Sequence, residues 1–131
     1  MHNKKLYDLS NYRIQKAKEE LETAIELLNI ERYNQSVNRS YYAIFHATRA
    51  ILALDEIDFK KHSAVISYFQ QYYIKTLKLP KALSNIIVAA SLIRNKSDYS
   101  DYVEISLEKA KEQINNADFF IKEIKNYLNK R

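Results

Sequence analysis

The sequence predicts an all-α fold, an antiparallel up-and-down four-helix bundle with an additional short helix. Three observations carry that prediction. The 131 residues include no Gly and one Pro, so the residue that supplies positive φ in tight hairpin turns and bulges is missing. Apolar residues recur at steps of three and four along almost the whole chain. The stretches between these periodic runs are short, as antiparallel neighbours in a bundle require. A chain of this length reads as one domain, residues 1–131, and buries roughly two-thirds of its unfolded surface without a disulfide or metal staple.

The first helix is predicted over residues 11–28, with Ile14, Ala17, Leu21, Ala24 and Leu28 inward and Asn29, which tolerates the left-handed conformation, closing it. A second over 31–54 carries Val37, Tyr41, Ile44, Thr48 and Ile51 at the same spacing. Asp58, at the end of a polar break, is positioned to cap a third helix over 59–76 that buries Val65, Ile66, Phe69 and Tyr73. Pro80 stops that helix and starts a fourth, with Leu83, Ile86, Ala90 and Ile93 inward. Residues 95–104 read as the longest connection, where sites tend to be found. Ser106 then caps a last helix whose stripe runs Leu107, Ala110, Ile114, Ala117, Ile121, Ile124, Leu128.

Composition removes several function classes. Without Gly there is no phosphate-cradling Walker or Rossmann loop, and without Cys no zinc ribbon, iron–sulfur cluster or thiol nucleophile. The longest apolar run, residues 86–90, is too short to span a bilayer, and residues 1–5 lead into no apolar segment. The expectation is a soluble cytoplasmic protein with no membrane role. A di-metal bundle needs paired Glu-x-x-His motifs, and neither His46 nor His62 has a Glu three residues before it, so no metal or cofactor is expected. The net charge of +5 is uneven: residues 59–97 contain no carboxylate and carry +7 from Lys60, Lys61, Lys75, Lys78, Lys81, Arg94 and Lys96. Such a stretch is either a solvated basic face or an attractor of phosphate-bearing ligands.

Three constellations are candidates for chemistry. Arg39, Tyr42, His46 and Arg49 follow steps of three, four and three on the second helix, forming a polar stripe. It either holds a phosphate or base, with His46 moving a proton, or consists of bundle residues with satisfied polar ends. Arg94, Asn95, Asp98 and Tyr99 lie where the fourth helix gives way to the loop. Arg94 offers a fork of donors matched to phosphate, with Asp98 orienting it or accepting a proton; the alternative is an Arg94 to Asp98 ion pair pinning the helix end. Lys60, Lys61 and His62 add positive charge at the start of the third helix.

The run Asn38-Arg39-Ser40-Tyr41-Tyr42-Ala43-Ile44-Phe45-His46-Ala47, the later Lys61-His62-Ser63-Ala64-Val65-Ile66, and the segment from Arg94 to Tyr102 resemble, in order and spacing, the HEPN domain family. The resemblance implies a commonly dimeric bundle, often made beside a minimal nucleotidyltransferase as a two-component toxin–antitoxin module. Many members are metal-independent ribonucleases that use an Arg followed, after four to six residues, by a His. Arg94 matches the motif Arg, but positions 99, 100 and 101 hold Tyr, Ser and Asp. A phenol with a pKa near 10 is a poor general base at neutral pH.

The leading expectation is therefore a nucleotide- or RNA-phosphate-binding component of such a module. Arg94 is its principal anion contact, Asn95, Asp98 and Tyr99 orient the ligand, and Lys60, Lys61 and His62 supply positive field. The partners implied are a nucleotidyltransferase-domain protein and a second copy of the chain. Two alternatives stand beside it: a toxin ribonuclease using Arg94 with a displaced histidine, His46 or His62, and a purely structural dimerising module built on its eleven tyrosines.

Overall fold

A computed structural model describes residues 3–99 and 103–130 and, among them, five α-helices and no strand. They are α1 (Asn3–Asn29), α2 (Tyr33–Leu54), α3 (His62–Phe69), α4 (Lys81–Tyr99) and α5 (Leu107–Lys130), with a π-helical turn, Gln70–Ile74, continuing α3. The four long helices form the antiparallel bundle and α3 is the short extra one.

The bundle is organised around α2. Thirteen of its 22 residues are buried, so it needs neighbours on most of its circumference, and α1, α4 and α5 all pack on it. The close approach of the long helices is set by small residues: Ala17 and Ala24 of α1, Ala43, Ala47 and Ala50 of α2, and Ala110 and Ala117 of α5 are all completely buried. Ile44, Ile51, Phe69, Leu83, Ile87, Phe120 and Ile124 fill the space between.

Several boundaries differ from the sequence reading, each for a physical reason. The first helix begins at Asn3, well before residue 11, because its buried stripe continues through Ser10, a polar residue invisible to an apolar count. It does not turn at Asn29. The left-handed residue is Glu31 (φ 61°), and the N–H groups of Glu31 and Arg32 donate to the carbonyls of Leu28 and Leu27 at 3.0 and 2.8 Å. The second helix starts two residues later than expected as a result. Glu56 (φ 57°) ends it in the same way, its N–H and that of Ile57 reaching Ala53 and Leu52 at 3.1 Å. These bonds satisfy orphan carbonyls and offset a left-handed cost of roughly 1–2 kcal/mol per non-Gly residue.

The expected third helix over 59–76 is shorter and interrupted. Asp58 does not cap it: one carboxylate oxygen accepts from the Phe59 N–H at 2.9 Å and the other is held by Arg49 at 2.8 Å, so regular helix starts only at His62. The π turn, closed by the Lys75 N–H on the Gln70 carbonyl at 2.9 Å, follows Phe69; Phe69 and Tyr73 both face the core, their rings stacked 6.2 Å apart. Pro80 stands one residue before the fourth helix, its carbonyl accepting from the Leu83 N–H at 3.1 Å. Within that helix Ile87 rather than Ile86 is fully buried, and Ile93 is half-buried. Residues 95–99, read as loop, are its last turn. Ser106 caps the fifth helix as expected, its Oγ accepting from the Lys109 N–H at 3.1 Å.

Candidate functional site

The consecutive residues Tyr41 and Tyr42 sit on α2 where α3 and α4 converge. Tyr41 is completely buried, and two functional groups gather on it. The His62 ring, on the first residue of α3, stacks 4.0 Å from Phe45 and 5.8 Å from Tyr41. Its Nδ1 lies 2.9 Å from the Tyr41 hydroxyl. The Arg94 guanidinium, from α4, rests 4.7 Å from the centre of the Tyr41 ring and 5.7 Å from that of Tyr42, an arrangement that favours the cation over the aromatic faces.

Burial pushes the Tyr41 hydroxyl up to about 12, with the Arg94 charge and a hydrogen bond from Ser91 opposing it. It therefore keeps its proton near neutral pH. His62 is moved the other way, below the ordinary imidazole value, by burial and then by the charges of Arg94 and Arg49. The pair can be bonded in two senses: the hydroxyl donates to Nδ1 and the ring proton sits on Nε2, or Nδ1–H donates to the hydroxyl and Nε2 is unprotonated.

His62, Arg94 and Asn95 line one groove of about 360 Å³, floored by Ile66, Val88 and Leu92. Arg94 donates to the Tyr42 hydroxyl at 3.3 Å and to Asn95 Oδ1 at 3.0 Å. Among the described residues the carboxylate paired with it is Asp98, 3.8 Å away and itself hydrogen-bonded by Asn38 at 3.0 Å. Arg94 Nε is buried with no hydrogen-bond partner among the described residues. The guanidinium is thus positioned by its own chain while its charge is only loosely matched by the described residues, as an anion contact requires.

The remaining candidates separate. The polar stripe of α2 points to three different neighbours: Arg39 and His46 turn to Glu20 of α1, at 3.0 and 3.8 Å; Tyr42 turns to Arg94; Arg49 turns to Asp58. His46 is therefore not beside Arg94, and burial lowers its pKa despite the Glu20 charge. Asp98 faces a different groove of about 560 Å³, shared with Asn34, Gln35, Asn38 and Arg39. Lys60 lines a further groove on the other side of His62, and Lys61 is exposed at the N-cap of α3. The Tyr99 side chain, and the segment 100–102, lie outside the described residues. No three His, Cys, Asp or Glu of the described residues cluster as a metal ion would need, and no described helix is long and apolar enough to cross a membrane.

Sequence reasoning missed Tyr41 as a site residue because its spacing marks it only as core. Glu20 was detectable: it stands between Ala17 and Ala24 on the inward side of α1, where a carboxylate requires a cationic partner.

The displaced imidazoles make stability depend on pH. Because the folded pKa values of His46 and His62 lie below 6.5, the unfolded chain takes up protons first as pH falls, and stability declines below about pH 6.5. Asp58 adds a second decline at lower pH: burial alone would raise its carboxyl, but Arg49, Phe59 N–H and Arg13 together hold it below the usual value of 3.8. Calorimetry from pH 8 to 4 is expected to show a Tm that is level above the imidazole range and falls beneath it. In the variant combining His46→Gln with His62→Gln the upper decline is expected to disappear.

The HEPN domain family profile matches residues 10–127. A protein of Methanocaldococcus jannaschii named "Putative toxin MJ0142" is 36% identical over 115 residues, 88% of this chain and 78% of the relative. A second from that organism, "Putative toxin MJ0605", is 33% identical over 115 residues, covering 88% and 85%. A UPF0332 protein of Thermotoga maritima is 34% identical over 113 residues, 86% of both chains. With the helical bundle and a match extending from the first helix to the last, the chain belongs to the HEPN domain family.

Proposed function

We propose that this is the phosphate-binding member of a cytoplasmic, toxin–antitoxin-like pair with a minimal nucleotidyltransferase, and that it works as a homodimer. Its ligand is a nucleotide or RNA phosphate held at Arg94. The observation that carries the reading is the groove lined by both Arg94 and His62, with the His62 Nδ1 held 2.9 Å from the Tyr41 hydroxyl. With Tyr41 donating to Nδ1, the imidazole presents Nε2–H beside the guanidinium N–H groups: two donors that suit an anion, with the one unprotonated nitrogen already engaged. The toxin names of two relatives support the class of system.

A second reading, a metal-independent ribonuclease, is favoured by the same proximity, since His62 supplies near Arg94 the imidazole missing from positions 99–101. It requires the other tautomer, with Nδ1–H donating to Tyr41 and Nε2 free to take the proton of a 2′-hydroxyl.

Titration calorimetry with uridine monophosphate and a short single-stranded RNA separates these. The expected result is binding that weakens with salt and falls tenfold or more in Arg94→Ala, a loss of about 1.4 kcal/mol or more, with the RNA uncut between pH 5 and 9. Unchanged affinity in that variant rejects the site. Cleavage lost in His62→Ala selects the ribonuclease.

A further inference from the structure

We propose that the surface leading from His62 across Phe59 to Tyr72 is a stacking track for single-stranded nucleic acid, so that the Arg94 groove receives one residue of an oligonucleotide rather than a free nucleotide. This rests on the phosphate-binding reading above and names its substrate class. The His62 ring is a wall shared by two grooves. Beyond it from Arg94 lies a groove of about 370 Å³ lined by Phe45, Arg49, Asp58, Phe59 and Lys60. From Phe59 the aromatic surface continues: its ring centre is 6.0 Å from that of Tyr68, which is 4.5 Å from Tyr72. Phe59 and Tyr72 are 39% and 46% exposed, so this run of rings reaches solvent at both ends.

The charge along this surface selects the occupant. From Phe59 to Ser97 there is no carboxylate, and Lys60 and Lys61 stand exposed beside the first ring. The nearby acids are largely engaged: Asp58 is paired with Arg49 at 2.8 Å and Arg13 at 3.5 Å, and Asp55 accepts from the hydroxyls of Tyr68 and Tyr73. Glu56 is the exposed carboxylate of that turn, against the two exposed lysines Lys60 and Lys61. Aromatic faces interleaved with cations fit a strand whose bases stack and whose phosphates are neutralised, and they do so for any base sequence.

The test compares uridine monophosphate with oligouridylates of two, four and eight residues by competition anisotropy at low salt. Affinity is expected to rise fivefold or more with the first stacked base and to keep rising to the tetramer. The variant combining Phe59→Ala with Tyr72→Ala is expected to return the octamer to the affinity of the mononucleotide while leaving the mononucleotide itself unchanged. Lys60→Glu, which removes no ring and keeps the fold testable if the double variant unfolds, is expected to weaken the octamer and flatten its salt dependence. Equal affinity for octamer and mononucleotide, or an octamer indifferent to these substitutions, overturns the track and leaves the Arg94 site standing. If neither ligand binds, the phosphate site falls and the track with it. A change of oligomeric state in the double variant, with octamer affinity preserved, makes the surface a protein interface and also overturns the proposal.

Discussion

Tyr41→Ala is expected to cost about 3–5 kcal/mol of stability, the range for removing a fully buried large aromatic ring, and to lower Tm by about 10 °C or more. The ring is the shared support of Phe45, His62 and Arg94, so its loss also leaves a cavity under the guanidinium. Tyr41→Phe isolates the hydroxyl. It keeps the ring and costs only about 1 kcal/mol, yet it releases the Nδ1 of His62 from its hydrogen-bond partner. Nitrogen-15 NMR of the imidazole is expected to show Nε2–H in the parent and a mixture of tautomers in Tyr41→Phe. An unchanged tautomer in that variant means that Tyr41 does not set the state of His62. If the ribonuclease reading holds, the same substitution lowers cleavage, because Nδ1–H loses the acceptor that keeps Nε2 unprotonated; if the binding reading holds, phosphate affinity falls as the second donor is lost.

Asp55→Ala is the second large effect. One oxygen of this carboxylate accepts from Tyr73 at 2.6 Å and from Tyr68 at 3.2 Å, and Tyr73 is 1% exposed. A short bond from a phenol to a carboxylate is charge-assisted, and removing the carboxylate takes one acceptor from both phenols. The cost is expected to be about 2–4 kcal/mol. It is expected to fall on one region, because Asp55 at the end of α2 ties down α3 and the π turn that follows. Amide hydrogen exchange is therefore expected to accelerate in residues 62–74 before α1 and α5. A double-mutant cycle with Tyr73→Phe separates the hydrogen bond from the other contacts of Asp55; an interaction energy near zero in that cycle rejects the tie.

These two residues illustrate why part of the site was legible in the sequence and part was not. Arg94 stood out as a cation at the end of an apolar stripe, and Lys60, Lys61 and His62 as a basic run. Which of the two internal histidines would approach Arg94 was undetermined, because His46 and His62 lie on different helices and the answer depends on how those helices are rotated against α2. The structure turns His46 to Glu20 and His62 to Tyr41. Asp58 shows the same dependence: its spacing suggested a helix cap, but one oxygen is held by Arg49 of α2 and the other by the adjacent Phe59 N–H.

The sequence alone determined the all-α class, the number of helices, the faces that α1, α2 and α5 bury, and the serine that starts α5. Each follows from contacts within a few residues: periodicity, the absence of Gly, and capping chemistry are local properties of the chain. The tertiary structure decided what the polar residues do. A guanidinium, an imidazole and a phenol acquire their roles from partners 21 to 53 residues away, through burial and charges that no local pattern encodes. Hydrophobic pattern sets which face turns inward, whereas the protonation and orientation of a polar group depend on whatever the assembled fold places against it.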